Sequence, residues 1–216
     1  MERKMSFSLS TFPQKIKALG FGLRDREETV ARWISNLFCP PLVGIFTAFV
    51  FLFYAAPNPR GIWPWIALTL PLISSLPLAY VLWLMRKGEL TDIHMPSRRS
   101  RMKPLSLMVV WGGTCILLLR SWGAPRVLIV ILLTALAYMI LLSTITLFWK
   151  ISFHSTAISA AASVGLATSG FTSWSITIAL LIPVVAWARA YLRRHTLTQI
   201  AVGCLIGVSV GLLILM

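Results

Sequence analysis

The sequence predicts an all-α integral membrane protein, a bundle of about seven transmembrane helices (six to seven) behind an N-terminal interfacial segment. Three observations lead there. Hydrophobic residues make up 57% of the 216 and charged residues only 12%, with a mean hydropathy of +0.82, more apolar surface than a soluble domain of this length could bury. Apolar runs long enough to span a bilayer recur along the chain. The basic residues fall in clusters between those runs, as membrane topology demands.

Taken in order, residues 1–38 carry no continuous apolar core of the signal-peptide kind; their aromatic and aliphatic residues are scattered among basic ones. This predicts a retained segment lying along the membrane surface. Residues 39–216 form the predicted transmembrane domain, with spans at about 39–56, 62–85, 104–122, 126–148, 155–171, 174–192 and 197–216. Pro64, Pro71 and Pro77 predict kinks in the second span. The fifth, "STAISAAASVGLATSGF", is short and rich in Ala, Ser and Gly, which suits a helix packed inside the bundle. In the last, Gly203, Gly207 and Gly211 recur every four residues and let another backbone come close.

Seven spans put the N-terminus and the segments 86–103, 149–154 and 189–196 on one side, and that side receives seventeen of the twenty basic residues. The other side keeps Arg60, Arg120 and Arg126. The positive-inside rule makes the basic side cytoplasmic, and the expected location is the cell inner membrane. The net charge of +14 is therefore a topological signal, and no nucleic-acid partner is called for. Cys39, Cys115 and Cys204 have no C-x-x-C spacing, so neither a zinc site nor a disulfide framework is indicated, and they read as small packing residues.

All three histidines, His94, His154 and His195, fall on the cytoplasmic side, as do Glu89 and Asp92. Helical hairpins return "GELTDIHMPSRRSRMKP" (88–104), "KISFHSTA" (150–157) and "ARAYLRRHTLTQ" (188–199) to one membrane surface. Their inventory of many cations, histidines and few carboxylates suits binding a phosphate group and breaking its ester. Arginine forks match phosphate oxygens and stabilise transition-state charge. One histidine can attack phosphorus while another protonates the departing oxygen. No metal or other cofactor is called for, and a carboxylate-poor face would hold a divalent cation badly.

The order of these segments resembles the type 2 phosphatidic acid phosphatase superfamily, the lipid phosphate phosphatases, whose pattern is K-x6-R-P, then P-S-G-H, then S-R-x5-H-x3-D. Arg189, His195 and Gln199 match the spacing of the third motif; Ser152, His154 and Ser155 match the second in part, with Ile151 and Phe153 where the family has Pro and Gly. The resemblance covers about residues 86–216, taken as the phosphatase-like core. It implies that His195 is a nucleophile forming a phosphohistidine, that His154 is the acid for the leaving group, and that Arg189, with Ser152 beside it, holds phosphate. Arg98, Arg101 or Lys103 would supply the cations of the first motif.

Gln199 stands where the family has an aspartate that orients the histidine and stabilises its positive form. Asp92 is a candidate for the missing carboxylate; an ion pair with Arg98 or Arg101 is the alternative for it. Phe153 removes the freedom of a glycine backbone to close around phosphate. Arg193 and Arg194 are expected to mark the membrane edge, and His94 to be structural. Arg189, on a predicted span, would cost about 2.5–3.5 kcal/mol if left without a partner in lipid, so a buried anionic partner is expected.

The expected function is thus a membrane hydrolase for a lipid or isoprenoid phosphate, with membrane lipids as its surroundings and a homo-oligomer left open. The alternative is a catalytically degenerate relative that acts in lipid binding, transport or assembly.

Overall fold

A computed structural model describes residues 12–55, 59–89 and 98–214, the side chains at 12–24, 55, 59, 60, 98–100, 211 and 214 aside. Asp92 and His94 lie outside the described residues. Eight helices follow one another among those described: α1 (Phe12–Leu37), α2 (Pro40–Ala55), α3 (Pro59–Arg86), α4 (Arg98–Ser121), α5 (Arg126–Phe148), α6 (Phe153–Ser169), α7 (Ser173–Tyr191) and α8 (Leu197–Ile214).

Each of the seven apolar runs is a helix, yet they differ as membrane spans. Four stretches are long and apolar enough to cross alone: Gly61–Arg86, Arg101–Ser121, Arg126–Phe148 and Ser173–Tyr191. A fifth crossing results if Asp25–Leu37 and Pro40–Tyr54, bent by 45° at their junction, act as one. The remaining helices are shorter for a physical reason. The 17 residues of α6 reach about 25 Å, against a hydrocarbon layer of about 30 Å.

The prolines end α1 and begin α2. Pro40 and Pro41 have no N–H, so the carbonyls of Asn36 and Leu37 lose their usual partners four residues on. α3, by contrast, runs through Pro64, Pro71 and Pro77. Pro77 leaves the Ile73 carbonyl without its usual partner four residues on, and beside it α4 reaches across: Trp111 Nε1 donates to the Leu72 carbonyl at 2.9 Å, with Cys115 Sγ 3.8 Å from the same oxygen.

The helices form two groups. In the first, α6 is central, packed against α2, α7 and α8, with α1 laid along α7. Nine of the 17 residues of α6 are buried, the interior position its small side chains predicted. Gly203 and Gly207 bring α8 against it; a Cβ at Gly207 would lie 2.3 Å from the Thr156 carbonyl, and one at Gly203 2.9 Å from that of Ser152. Ser163 Oγ donates to the Gly207 carbonyl at 3.2 Å across the same contact. In the second group α4 packs on α3 and α5, and only four of the 23 residues of α5 are buried. Tyr138 and Ser209, 2.8 Å apart, tie α5 to α8.

α1 is more than an appendage. Ala31 and Ser35 are buried on its inner side, and Ile34 and Phe38 pack on the cluster of Val43, Ile158, Ala161 and Val185. Val30, Trp33 and Leu37 stay exposed on the outer side.

Candidate functional site

The Arg-x5-His spacing has a local structural basis. α7 ends in a Schellman turn: Arg193 N–H donates to the Ala190 carbonyl at 2.9 Å and Arg194 N–H to that of Arg189 at 3.1 Å. Arg193 takes the left-handed conformation this turn requires, φ 51°, although it is not glycine. The turn reverses the chain, so His195 comes near enough to Arg189 to feel its charge. Arg189 is buried at 2% exposure and His195 at 8%.

α8 then starts with a capping box. Thr196 Oγ1 accepts from Gln199 N–H, and Gln199 Oε1 accepts from Thr196 N–H, each at 3.3 Å. The same Oε1 lies 3.1 Å from His195 Nδ1. Because a backbone N–H identifies that atom as the amide oxygen, His195 must carry its proton on Nδ1 and present the lone pair of Nε2. Gln199 therefore supplies the orientation and tautomer that a carboxylate would, without its charge.

The consequence shows in the acidity of His195, which sits in the turn outside α7 and α8. Burial first, then the positive charge of Arg189, opposed by the Gln199 hydrogen bond and joined by Arg101 and Lys150, pushes it down to about 3 from its ordinary 6.5. Lys150, in the α5–α6 turn, is likewise lowered by burial and then by Arg101, Arg189 and Arg194. Four cations and one neutral imidazole thus share one region.

α6 opens onto the same region. Ser152 is its N-cap, its Oγ accepting from Ser155 N–H at 3.4 Å and lying 2.8 Å from Ser155 Oγ. Its own N–H donates to the Gln199 carbonyl at 3.4 Å, which fastens the N-termini of α6 and α8 together. Both present their positive ends to this region. The Ser152 hydroxyl, expected on phosphate, is engaged as a helix cap and fully buried.

His154, 6% exposed, faces α1. Its Nε2 is 3.1 Å from the Ser35 carbonyl and 3.5 Å from Ser35 Oγ. Arg189 Nη1 donates to that same Ser35 Oγ. Ser35 belongs to no motif, so the sequence reading passed over it. The available signal was indirect: a serine in the last turn of a helix that two prolines must end.

Of the two first-motif cations with described side chains, Arg101 and Lys103, one reaches the site. Arg101, 7% exposed, holds its guanidinium carbon 5.5 Å from the Phe153 ring centre, and its Nη1 is 3.5 Å from the Ile151 carbonyl. Phe153, the departure from glycine, is thus the ring on which Arg101 rests. Lys103 turns instead to Glu89 at 3.1 Å, in a largely exposed pair. Arg98 begins α4, and its side chain lies outside the described ones. Arg194, expected only to mark the membrane edge, stands near enough to Lys150 and Arg101 to act on both electrostatically, while Arg193 is exposed. Among the described residues no three His, Cys, Asp or Glu side chains gather around a common point.

Comparison with protein-family models, with curated proteins and with solved structures finds no match to this chain.

Proposed function

We propose that the chain is a membrane phosphatase acting on a lipid or isoprenoid phosphate through a phosphohistidine on His195. One observation carries this reading. Arg101, Lys150, Arg189 and Arg194 converge with a buried, neutral His195 where the N-termini of α6 and α8 meet. Such a region favours an anion over every other ligand, and its arginine forks fit phosphate oxygens.

In the proposed reaction the Nε2 lone pair of His195 attacks phosphorus and the ester P–O bond breaks. The departing alkoxide takes a proton from Nδ1 of the His154 imidazolium, whose Nε2–H stays on the Ser35 carbonyl. Water then attacks the phosphohistidine, giving its proton to His154, and inorganic phosphate leaves with His195 restored. Arg189 and Arg101 hold the equatorial oxygens. In this reading all seven apolar helices lie in the membrane, α1 rests at its surface, and the site is at the cytoplasmic boundary of the cell inner membrane, the side the positive-inside rule favours for the basic residues.

The test is phosphate release from phosphatidic acid and isoprenyl mono- and diphosphates by the purified chain. Release that His195→Ala abolishes is expected, and release surviving that change refutes the mechanism. Gln199→Glu adds the charge that favours a positive ring, and an increase of about 10²-fold in turnover is expected from it. A second reading, a non-catalytic chain that binds lipid phosphate, draws on the neutrality of Gln199. It holds if the wild type binds these lipids and releases nothing.

A further inference from the structure

We propose that Ser35, on α1, is a positioning residue for this site, its hydroxyl orienting Arg189 and its carbonyl orienting His154. The role in turnover rests on the phosphatase reading; the structural part stands without it.

The inference begins with an ordinary helix end. The last carbonyls of a helix lack intrahelical partners, and α1 ends at Leu37, ahead of Pro40 and Pro41. Phe38 N–H donates to the Ile34 carbonyl at 3.0 Å. Cys39 N–H, which a continuing helix would give to Ser35, instead bonds the Asn36 carbonyl at 3.4 Å. The missing N–H of Pro40 explains the exchange, because Asn36 would otherwise have been its partner. The Ser35 carbonyl is thereby released, and His154 Nε2 takes it at 3.1 Å.

A carbonyl only accepts, so this contact keeps a proton on Nε2 of His154. His195 holds the opposite arrangement, with its proton on Nδ1 facing Gln199. The two rings thus donate through different nitrogens, each held by a different helix end. The hydroxyl of Ser35 meanwhile accepts from Arg189 Nη1, which helps to set the direction of the guanidinium at the end of a long side chain. The C-terminus of α1 also carries the negative end of its dipole, which favours the Arg189 guanidinium there.

Position and packing make the arrangement dependable. Ser35 is 2% exposed, and Ile34 and Phe38 on either side anchor this turn in the cluster around Val185. The opposite side of the turn shows Trp33 and Leu37 outward, at 72% and 63% exposure. A helix with that apolar face belongs in the membrane boundary, and it completes the site from there.

The experiment uses the full chain in nanodiscs, with Ser35→Ala, Ser35→Thr and Pro40→Ala beside the wild type. Vanadate binding and phosphate release are read together with the unfolding midpoint. Ser35→Ala is expected to weaken vanadate binding and raise KM about tenfold, the size of one lost hydrogen bond to a charged group. Ser35→Thr, which keeps the hydroxyl, should restore both. Unchanged binding in Ser35→Ala overturns the proposal, as does a loss that Ser35→Thr shares or that only follows a lowered midpoint. Histidine ¹⁵N spectra need no ligand and no activity. They should show the His154 ring, assigned by its absence in His154→Gln, with Nε2 protonated, and released in Pro40→Ala, where Cys39 N–H can return to Ser35. A His154 ring exchanging freely between tautomers in the wild type overturns the proposal even if the chain hydrolyses phosphate. A wild type that neither binds vanadate nor releases phosphate refutes the phosphatase reading, while the spectra still decide the inference.

Discussion

The contact between α6 and α8 and the contact between α4 and the rest of the bundle serve the same site in opposite ways. α6 and α8 meet backbone to backbone, because glycine at 203 and 207 leaves no side chain between them. That closeness joins Ser152 N–H to the Gln199 carbonyl and so fixes the two helix starts that carry His154, His195 and Gln199. α4 meets the site through the long side chain of Arg101, resting on Phe153. Its own glycines face a loose surface: a Cβ at Gly112 would find Leu136 Cδ1 at 3.5 Å, an ordinary contact. The difference teaches that groups whose direction matters, the two rings, are placed by rigid backbone. A group needed for its charge can be delivered by a flexible arm.

The strongest response of the rigid region should be to acid. With His195 held at about 3 in the folded chain against 6.5 ordinarily, the unfolded chain binds the extra proton between those values. Stability from the neutral ring is therefore complete above about 6.5 and lost as pH falls toward about 3. Unfolding midpoints measured across that range should drop with acid, and His195→Gln should flatten the slope; an unchanged slope would show that the ring is not buried in its neutral form.

Next in size is Gly207→Ala. A methyl group there would meet the Thr156 carbonyl and the Ala160 nitrogen at 2.3 and 2.9 Å, backbone atoms that cannot turn aside. A cost of about 1–3 kcal/mol is expected, read by thermal unfolding, and a neutral result would mean that the helices are farther apart.

Arg101→Ala probes the flexible arm. It should weaken vanadate binding about tenfold, as for one charge-assisted contact, and leave the unfolding midpoint near that of the wild type. A collapse of the fold instead would make Arg101 a structural residue. The smallest effect belongs to Gly112→Ala, where the new methyl group meets only a mobile leucine tip. The change there should be neutral or stabilising by up to about 1 kcal/mol through helix propensity, and a large loss would erase the contrast between the two regions.

Much of this molecule was legible in one dimension. The seven apolar runs are each a helix among the described residues, since an apolar segment satisfies its backbone hydrogen bonds most simply within itself. The small-residue character of 155–171 announced the central helix, and the glycine spacing of 197–216 announced what packs on it. The Arg-x5-His-x3-Gln spacing of Arg189, His195 and Gln199 was legible as well, and the structure gives it a local basis in a Schellman turn and a capping box. The number of residues able to cross a membrane was less so: α6 is apolar but only 17 residues long, and periodicity carries no information about how its ends are covered.

What only the tertiary structure decided concerns contacts between distant segments. Nothing near Ser35 in the sequence points to a partner 119 or 154 residues away. Nor does charge alone tell Arg101, drawn inward by Phe153, from Lys103, drawn outward by Glu89. Composition and spacing determined the class of the protein, its helices and the local turns, because hydrophobic burial and backbone hydrogen bonding act on neighbouring residues. The choice among equivalent cations, and the use of a helix end in α1 to hold an arginine and a histidine, depend on which surfaces packing brings together.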